Sequence, residues 1–554
     1  MKKNVFCLLN LFLVSLLLSG CALFGPSESL DQSGETSFSS NPPSASSLES
    51  SPTSSSSNPE IEQSIYQVKD PEYGFIQRTS KEEVTYEDLF NLHNKVEIQI
   101  DVDREELQKI NDETNYGGFA SNKPETYHLA KKFTLTLHNG DNEFVWEVEN
   151  VGIRQKGNTS RKPIFWSNGE VRNQNHFKIS FDETFTDPEM YSPSFIAEHG
   201  NPEYEDREFL GLTGIDFKWN KMDDLTHVKE VYSSKLLRSA GILVQHIGLC
   251  TVKMAYEEGV AADFGLCTLF EASSKSFIKR SLQSKDLYIN MPSWSKEKEG
   301  SFGVKGKKYG DLYKASYGGG SGSSWGADFT SDSIEGERIG VKTDILGYDF
   351  PTYERKTNQG SDYNDDLMRE TIALLNSRSA TFEQLAEKID TQYLAMEEAV
   401  MYFLGNPDAM RYNYNNYLVY FRRTDGKMVI VPIDNDRVFG IGCTWVDGLE
   451  FILNSNCTPN NPDSISGEQR NPLLCKTIFA IAKTQAKTDY QECLKLVKDS
   501  PWLDPATFER FYGIAKDTYQ GEATFSLDGG TDNISFQRYV DTKLQQYQRE
   551  YPAQ

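Results

Sequence analysis

Apolar and polar residues alternate along several short stretches in the first half of the chain, and this pattern predicts strands. Apolar residues occupy every second position over 96–102, 133–137 and 144–148, and Asn139-Gly140 separates the last two stretches. A period of two is typical of half-buried strands, and Asn-Gly favours a tight hairpin turn. Further strands are predicted over 176–181, 249–256 and 264–270.

Helical spacing dominates the second half of the chain, and one further helix is predicted in the first half. Residues 228–236 place apolar side chains on one helix face, and Gly241 ends this predicted helix. Residues 385–404 predict a longer helix that ends at Gly405, and residues 472–554 predict amphipathic helices with breaks. Two more strands are predicted over 417–421 and 428–433.

These elements predict an α+β fold in two parts. We expect a β-rich N-terminal lobe over 63–272 and a mainly helical C-terminal lobe over 273–554, because so long a chain exceeds one small domain. A stretch rich in Gly, Ser and Lys over 280–345 is expected to be an irregular insert in the second lobe.

The N-terminus has the pattern of a secretory signal. Lys2 and Lys3 precede the apolar run 5–18, which is too short for a membrane span and ends in Leu18-Ser19-Gly20-Cys21. This ending resembles the bacterial lipobox, so residues 1–20 are predicted to be a signal peptide and Cys21 a lipidation site. An uncleaved anchor is the alternative. Either way, the body is expected to be extracytoplasmic and anchored to the cell membrane.

Residues 21–62 are rich in Ser and Pro and contain few large apolar side chains. Such a segment buries too little surface to offset its ordering entropy, so it is expected to be a disordered tether. The chain as a whole carries a net charge of -24, which argues against nucleic acid as a partner.

Cysteine spacing gives no zinc motif. Cys250 and Cys267 lie on either side of a turn at Gly259, between two predicted strands. They are expected either to form a disulfide or to remain two buried free thiols.

One cluster of carboxyl and amide residues suggests phosphoryl transfer. Asp408 follows the long predicted helix, Asn413 comes five residues later, and Asp434 and Asp436 follow a predicted hairpin. Protein kinases have the same order of groups, including a gap of five residues between the catalytic-loop Asp and Asn. In that chemistry one carboxylate orients the attacking hydroxyl and another holds Mg²⁺, so the carboxyl groups after the helix and after the hairpin are expected to converge on one cation. Paired carboxylates alone would also allow a calcium site or glycoside hydrolysis.

Five motifs in the same order resemble the CotH kinase family, the spore-coat-H-type atypical kinases. They are Arg-x-Lys-Gly-Asn-Thr-Ser at 154–160, Gly-Asp-Leu-Tyr-Lys at 310–314, Tyr-Glu-Arg-Lys-Thr-Asn at 353–358, Asp-Ala-Met-Arg-Tyr-Asn-Tyr-Asn-Asn-Tyr at 408–417 and Pro-Ile-Asp-Asn-Asp-Arg at 432–437. The resemblance implies a divergent two-lobed protein-kinase-like fold that uses ATP with Mg²⁺ or Mn²⁺.

The resemblance also implies roles for individual residues. Asp408 would be the catalytic aspartate, and Lys178 would grip phosphate while paired with Glu230 on the helix. The implied metal-binding residues are Asp434, Asp436, Asn413 and Asn416. The implied nucleotide-binding residues are Arg154, Gly157, Asn158, Ser160, Lys178, Glu230 and Glu271.

Two functions follow as hypotheses. The first is a surface-anchored kinase that transfers phosphate from ATP to Ser residues of exported proteins, with its own Ser-rich tether as one possible target. The second is a catalytically inactive, kinase-like lipoprotein used for surface adhesion or binding. The second hypothesis is kept because ATP is scarce outside the cell membrane.

Overall fold

We describe the fold from a computed structural model. The described residues are 65–114, 125–157, 160–219, 224–282, 287, 289–290, 310–317, 327–329, 341–343, 349–359, 364–410, 414–442, 485–528 and 534–552. The predicted signal peptide, the tether, Cys21, Asn158, Asn413 and most of the predicted insert lie outside them.

Seven strands of the first half close into a barrel in the order β1-β2-β3-β4-β5-β7-β6. They are β1 (Lys95–Asp101), β2 (His128–Asn139), β3 (Asn142–Gln155), β4 (His176–Ser180), β5 (Gly214–Trp219), β6 (Ile247–Glu257) and β7 (Val260–Glu271). Neighbouring strands are antiparallel except β1 and β6, whose parallel pairing closes the barrel.

Two smaller sheets follow the barrel in the described part of the chain. One has the order β11-β8-β12-β13, and the other pairs β10 with β9. Their strands are β8 (Asp311–Ala315), β9 (Val341–Thr343), β10 (Asp349–Pro351), β11 (Tyr353–Arg355), β12 (Tyr417–Phe421) and β13 (Met428–Pro432).

Helices pack around these sheets. They are α1 (Arg104–Glu113), α2 (Pro193–His199), α3 (Lys229–Ser239), α4 (Lys275–Ser281), α5 (Asp366–Asn376), α6 (Phe382–Lys388), α7 (Thr391–Leu404), α8 (Gln485–Asp499), α9 (Pro505–Thr518) and α10 (Phe536–Glu550). None of the described helices is both long and apolar enough to cross a bilayer.

The expectation of a two-lobed kinase-like fold is wrong. The N-terminal strands form a closed barrel, not an open lobe, and a separate small sheet carries the strands that flank Asp408 and Asp434. The parallel pairing of Glu97 with Thr251 closes the barrel across a long sequence separation. Alternation within one strand identifies the strand but not its distant partner, so the sequence pattern could not reveal the closure.

The long helix predicted over 385–404 is two helices. α6 ends at Lys388, and the Asp390 side chain accepts a hydrogen bond from the backbone N–H of Tyr393 at the start of α7. Asp is a favourable N-cap because its carboxylate satisfies a free N–H of the first turn. The predicted end of the second helix is confirmed, since Gly405 caps α7 with φ 60°.

Three large buried clusters, together with a small one around Phe185, hold the described part of the structure together. One fills the barrel and includes Phe133, Phe177 and Phe217. A second joins α3 and α7 to the last three helices, and a third packs the small sheet against α5. Tyr232 on α3 lies at the centre of the second cluster, where its ring contacts aromatic rings of the C-terminal helices and its hydroxyl donates to the carbonyl of Trp502 at 2.6 Å. α3 is therefore held in place by contacts with the segment of the chain that follows residue 499.

Cys250 and Cys267 are direct partners across β6 and β7, as expected for residues on either side of a turn. Both are fully buried free thiols, so the structure favours the second of the two alternatives. Burial raises the pKa of both thiols, which lowers their reactivity as nucleophiles.

We predict that neither thiol reacts with a maleimide in the native protein and that both react after unfolding. Buried thiols with raised pKa values supply almost no accessible thiolate. Mass spectrometry of peptides containing Cys250 and Cys267, labelled before and after denaturation, measures this. A cross-linked peptide pair from protein digested without reductant would contradict the free thiols.

Candidate functional site

A cleft of about 330 Å³ lies between the barrel and the four-stranded sheet. Strands β3, β4 and β5 form one wall, while β8, β11 and the segments flanking β12 and β13 form the other. Its charged and polar lining includes Arg154, Lys156, Lys178, Lys356, Asn416 and Asp434. The cleft therefore brings residues from the first and the second half of the chain into one place.

Lys218 on β5 connects the barrel to the loop after β13. Its Nζ lies 2.7 Å from Asp434 Oδ1, 2.8 Å from Asp436 Oδ2 and 3.5 Å from Glu230 Oε2. Burial opposes the charged amine, but the carboxylates outweigh it and hold the pKa of Lys218 well above its usual value. Lys218 is thus a buried cation surrounded by carboxylates.

Glu230 at the start of α3 has a strongly perturbed pKa. Burial raises its pKa to about 8, the amine of Lys218 opposes the shift, and the nearby Asp436 and Asp434 add to it. The predicted partner of Glu230 was Lys178, but the structure places Lys218 there. Lys178 lies on the neighbouring strand β4, opposite a β5 residue that comes two positions before Lys218. It pairs with the carboxylate of that residue instead.

That other carboxylate is Asp216 on β5, which is almost completely buried. Its Oδ2 lies 3.1 Å from Lys156 Nζ and 3.3 Å from Lys178 Nζ. Burial would raise the pKa of Asp216, but the two ammonium groups outweigh burial and lower it. Asp216 therefore holds both lysines on the cleft wall.

Asp434 follows β13 in an uncommon backbone conformation, with φ 53°. Asn435 beside it accepts a hydrogen bond from Asn406 Nδ2 at 3.1 Å, and the N–H of Ile433 donates to the carbonyl of Asn416 at 3.0 Å. Non-glycine residues rarely adopt positive φ, and such positions often occur at functional sites. These bonds attach the Asp434 loop to the segment that follows α7.

The Asp408 carboxylate is held by the asparagines that follow it. Asn416 Nδ2 lies 3.0 Å from Asp408 Oδ2, and Asn415 Nδ2 lies 3.3 Å from Asp408 Oδ1. Asn416 also has positive φ, at 57°. Because Tyr417 pairs with Pro432, the segments before β12 and after β13 meet at one end of the sheet. The Asp408 and Asp434 loops, predicted to converge, lie side by side there.

The described part of the motif at 154–160, which was predicted to bind nucleotide, lies at the cleft. Arg154 donates to the carbonyl of Glu125 at 2.9 Å and its guanidinium lies 4.5 Å from the centre of the Tyr127 ring. Gly157 lines the cleft with φ 112°, a conformation that favours glycine. Ser160 follows as a half-buried residue close to Gly157.

Glu271 at the end of β7 does not present its carboxylate to the cleft. The side chain is fully buried, accepts from Arg280 Nε at 2.8 Å and from the backbone N–H of His246 at 3.1 Å. Its neighbours Phe270 and Ala272 line the cleft instead. Glu271 was predicted to bind nucleotide, but in the structure its side chain holds Arg280 of α4.

The family model described as CotH kinase protein matches residues 153–499. The chain belongs to the CotH kinase family. The matched region contains all the cleft contacts of Lys218 and Asp216 and both acidic loops. No curated protein matches the chain.

Membership of the CotH family implies an atypical kinase-like protein and, in general terms, ATP with a divalent metal ion. The donor groups fit a metal only in part. Among the described residues no group of three or more His, Cys, Asp or Glu side chains could hold an ion by itself. Mg²⁺ in phosphotransfer sites commonly binds one or two carboxylates plus substrate phosphates and water. Asp434 and Asp436 fit such a site, in which phosphate completes the ligand set.

Sequence reasoning missed Asp216 and Lys218, the two charged groups that organise the CotH-family cleft. Both lie in Gly-Ile-Asp-Phe-Lys-Trp at 214–219, where Ile215, Phe217 and Trp219 alternate with them. This short alternating pattern was the available signal for a strand with two charged side chains on one face.

We predict that Asp216→Asn lowers the free energy of unfolding by about 2–3 kcal/mol near neutral pH, because it leaves two lysines without their carboxylate. The cost is below that of a fully buried pair, since both lysine side chains are about one quarter exposed. Because the pKa of Asp216 is lowered in the folded state, this contribution is present above the unfolded pKa and is lost as pH falls through the folded pKa.

Urea unfolding of both proteins across a pH series measures the difference. Asp101→Asn is the matched control, because Asp101 lies on β1 with a longer 3.9 Å pair to Lys132 that is about one third exposed. The control should change stability by less than about 0.5 kcal/mol. Equal effects of the two substitutions would show that Asp216 has no special role in holding Lys156 and Lys178.

Proposed function

We propose that this protein is a metal-dependent protein kinase, anchored at the cell surface, that transfers phosphate from ATP to Ser residues of exported proteins. The observation that carries the proposal is the meeting of Lys218 with Glu230, Asp434 and Asp436 at a basic cleft. A lysine paired with a helix glutamate and next to a metal-binding aspartate is the arrangement that protein kinases use for phosphoryl transfer.

The cleft wall supports binding of a polyphosphate. Arg154, Lys156, Lys178 and Lys356 bring positive charge to a chain whose overall charge is -24. Lys156 and Lys178 are already oriented by Asp216, so little side-chain entropy remains to be lost when phosphate binds. The backbone around Gly157 permits close approach of a phosphate group.

The two acidic loops support transfer to a hydroxyl group. The amides of Asn415 and Asn416 fix the orientation of the Asp408 carboxylate, which can then accept a hydrogen bond from an incoming hydroxyl. Asp434 and Asp436 would hold the divalent ion, which when bound supplies electrostatic stabilisation of the phosphates. When nucleotide binds, the Lys218 amine would exchange its contact with one of these aspartates for a contact with phosphate. It would keep its contact with Glu230.

The identity of the acceptor and the location of the protein rest on sequence features. The signal, the lipobox-like Cys21 and the Ser-rich tether support a surface-anchored enzyme that acts on exported Ser-rich chains, including its own residues 35–57. The acidic charge of the chain disfavours nucleic acid as a partner.

We predict that the purified protein transfers phosphate from ATP to Ser in the presence of Mg²⁺ or Mn²⁺. Asp408→Asn should lower the rate by roughly 10²–10⁴-fold, because the carboxylate no longer accepts the hydroxyl proton. Asp434→Asn and Lys218→Met should abolish metal-dependent nucleotide binding. Phosphopeptide mass spectrometry and calorimetric titration with an ATP analogue measure these effects.

Lys132→Met is the control, since Lys132 pairs with Glu147 on the barrel surface away from the cleft. It should retain wild-type rate and binding. Saturable nucleotide binding without any phosphate transfer would favour the adhesion or binding function. Absence of metal-dependent nucleotide binding in the wild-type protein would overturn the kinase proposal.

We predict that Cys21→Ser moves the protein from the membrane fraction to the soluble fraction of cells, because the serine hydroxyl cannot form the thioether to lipid. Cys7→Ser, inside the same predicted signal, is the matched control and should stay with the membrane. Fractionation with mass spectrometry of the N-terminal peptide measures both. An unchanged distribution of the Cys21 variant would refute lipid anchoring.

A further inference from the structure

The segment that follows residue 499 lies outside the family match, yet it packs directly behind the Asp434 loop. The Phe439 ring lies 5.0 Å from the Phe536 ring and 5.7 Å from the Tyr539 ring of α10. The Tyr539 hydroxyl also donates to the carbonyl of Phe403 at 2.9 Å, near the end of α7. The start of α10 thus contacts the structural elements that carry both acidic loops.

Lys229, the first residue of α3, is bonded to both of these segments. Its Nζ donates to the carbonyl of Phe439 at 3.0 Å and to the carbonyl of Ile534 at 2.8 Å. Its side chain is fully buried, and its backbone N–H donates to Asp224 Oδ2 at 3.1 Å. Burial lowers the pKa of Lys229 to about 8, so the position carries a desolvation cost that the carbonyl contacts offset in part.

Lys229 and one of its two acceptors, Phe439, are neighbours in sequence of residues at the proposed metal site. Phe439 is three residues after Asp436, and Lys229 directly precedes Glu230. Phe439 has φ 54°, and its N–H donates to the carbonyl of Leu404 at 2.9 Å. A backbone in this conformation needs external contacts to hold it, and Lys229 supplies one of them.

We propose that Lys229 is a positioning residue that ties the C-terminal clamp, residues 534–540, to the metal loop, residues 434–440, and so fixes the geometry of Asp434 and Asp436. The consequence for metal binding rests on the proposed function. That Lys229 keeps the metal loop in one ordered conformation is independent of the proposed function, because it follows from the contacts alone.

Gly440 shows how closely the clamp and the loop approach. A Cβ added at Gly440 would lie 2.6 Å from Ile534 Cγ1 and 3.0 Å from Tyr539 Cδ2, and φ at this residue is 82°. Both the contact and the backbone conformation disfavour any larger residue. Substitution here disturbs the same junction without removing the lysine.

We predict that Lys229→Met increases amide hydrogen exchange in peptides covering residues 433–442, because buried carbonyls lose their donor. In the same variant the affinity for Mn²⁺, measured with a non-hydrolysable ATP analogue, should fall by about tenfold. Lys229→Arg should recover most of both losses, since the guanidinium can still donate to the two carbonyls.

Lys235→Met is the matched control. Lys235 lies on the same helix, burial also lowers its pKa to about 8, and its Nζ makes a longer 3.4 Å contact with the carbonyl of Phe90. The control should leave loop exchange and Mn²⁺ affinity within about twofold of wild type. Equal loosening of the loop in both variants, or wild-type exchange in Lys229→Met, would overturn the proposal.

Gly440→Ala provides a second route if Lys229→Met does not fold. It should also increase exchange over residues 433–442, and retention of wild-type protection would overturn the proposal. The exchange measurement needs neither metal nor nucleotide. If the wild-type protein does not bind Mn²⁺ with nucleotide, the proposed kinase function fails. The positioning role of Lys229 is judged separately, from the exchange measurement.

Discussion

A buried ammonium group among carboxylates controls the architecture of the site. Lys218 comes from the barrel, Glu230 from the start of α3, and Asp434 and Asp436 from the loop after β13. Without the Lys218 ammonium, the three acidic groups would face one another with no cation between them, which destabilises this arrangement. A single side chain thus fixes the mutual geometry of β5, α3 and the loop after β13, which lies 216 residues beyond Lys218 in the chain, and the cleft is the space that remains beside them.

The loops that carry the carboxylates are held in conformations that the chain would not adopt alone. Asp434, Asn416 and Phe439 all have positive φ, which costs on the order of 1–3 kcal/mol for each residue. The N–H of Ile433, the amide of Asn416 and the ammonium of Lys229 make the bonds that offset this cost. Because the strain is carried by the folded scaffold, the carboxylates need little rearrangement when a substrate arrives.

Local sequence patterns predicted the individual elements well and their long-range assembly poorly. The alternation over 96–102 and the Asn139-Gly140 turn indicated real strands, and Gly405 marked a real helix end. The barrel closure depends on a contact between strands distant in sequence, and the partner of Glu230 depends on the register between β4 and β5. Local periodicity reports neither of them. Convergence of the Asp408 and Asp434 loops was predictable because a short antiparallel hairpin returns the chain to its starting edge.

Charge at the cleft has a consequence for how an anion would bind. Lys156 and Lys178 share Asp216, and Lys356 pairs with Glu354, so much of the positive charge on this wall is already matched. An incoming phosphate must compete with these carboxylates, which lowers its net gain in affinity. The same carboxylates hold the lysine side chains at the cleft wall, which reduces the entropy lost on binding. The wall therefore favours precise placement of phosphate over tight binding, which is what the proposed transfer reaction would need.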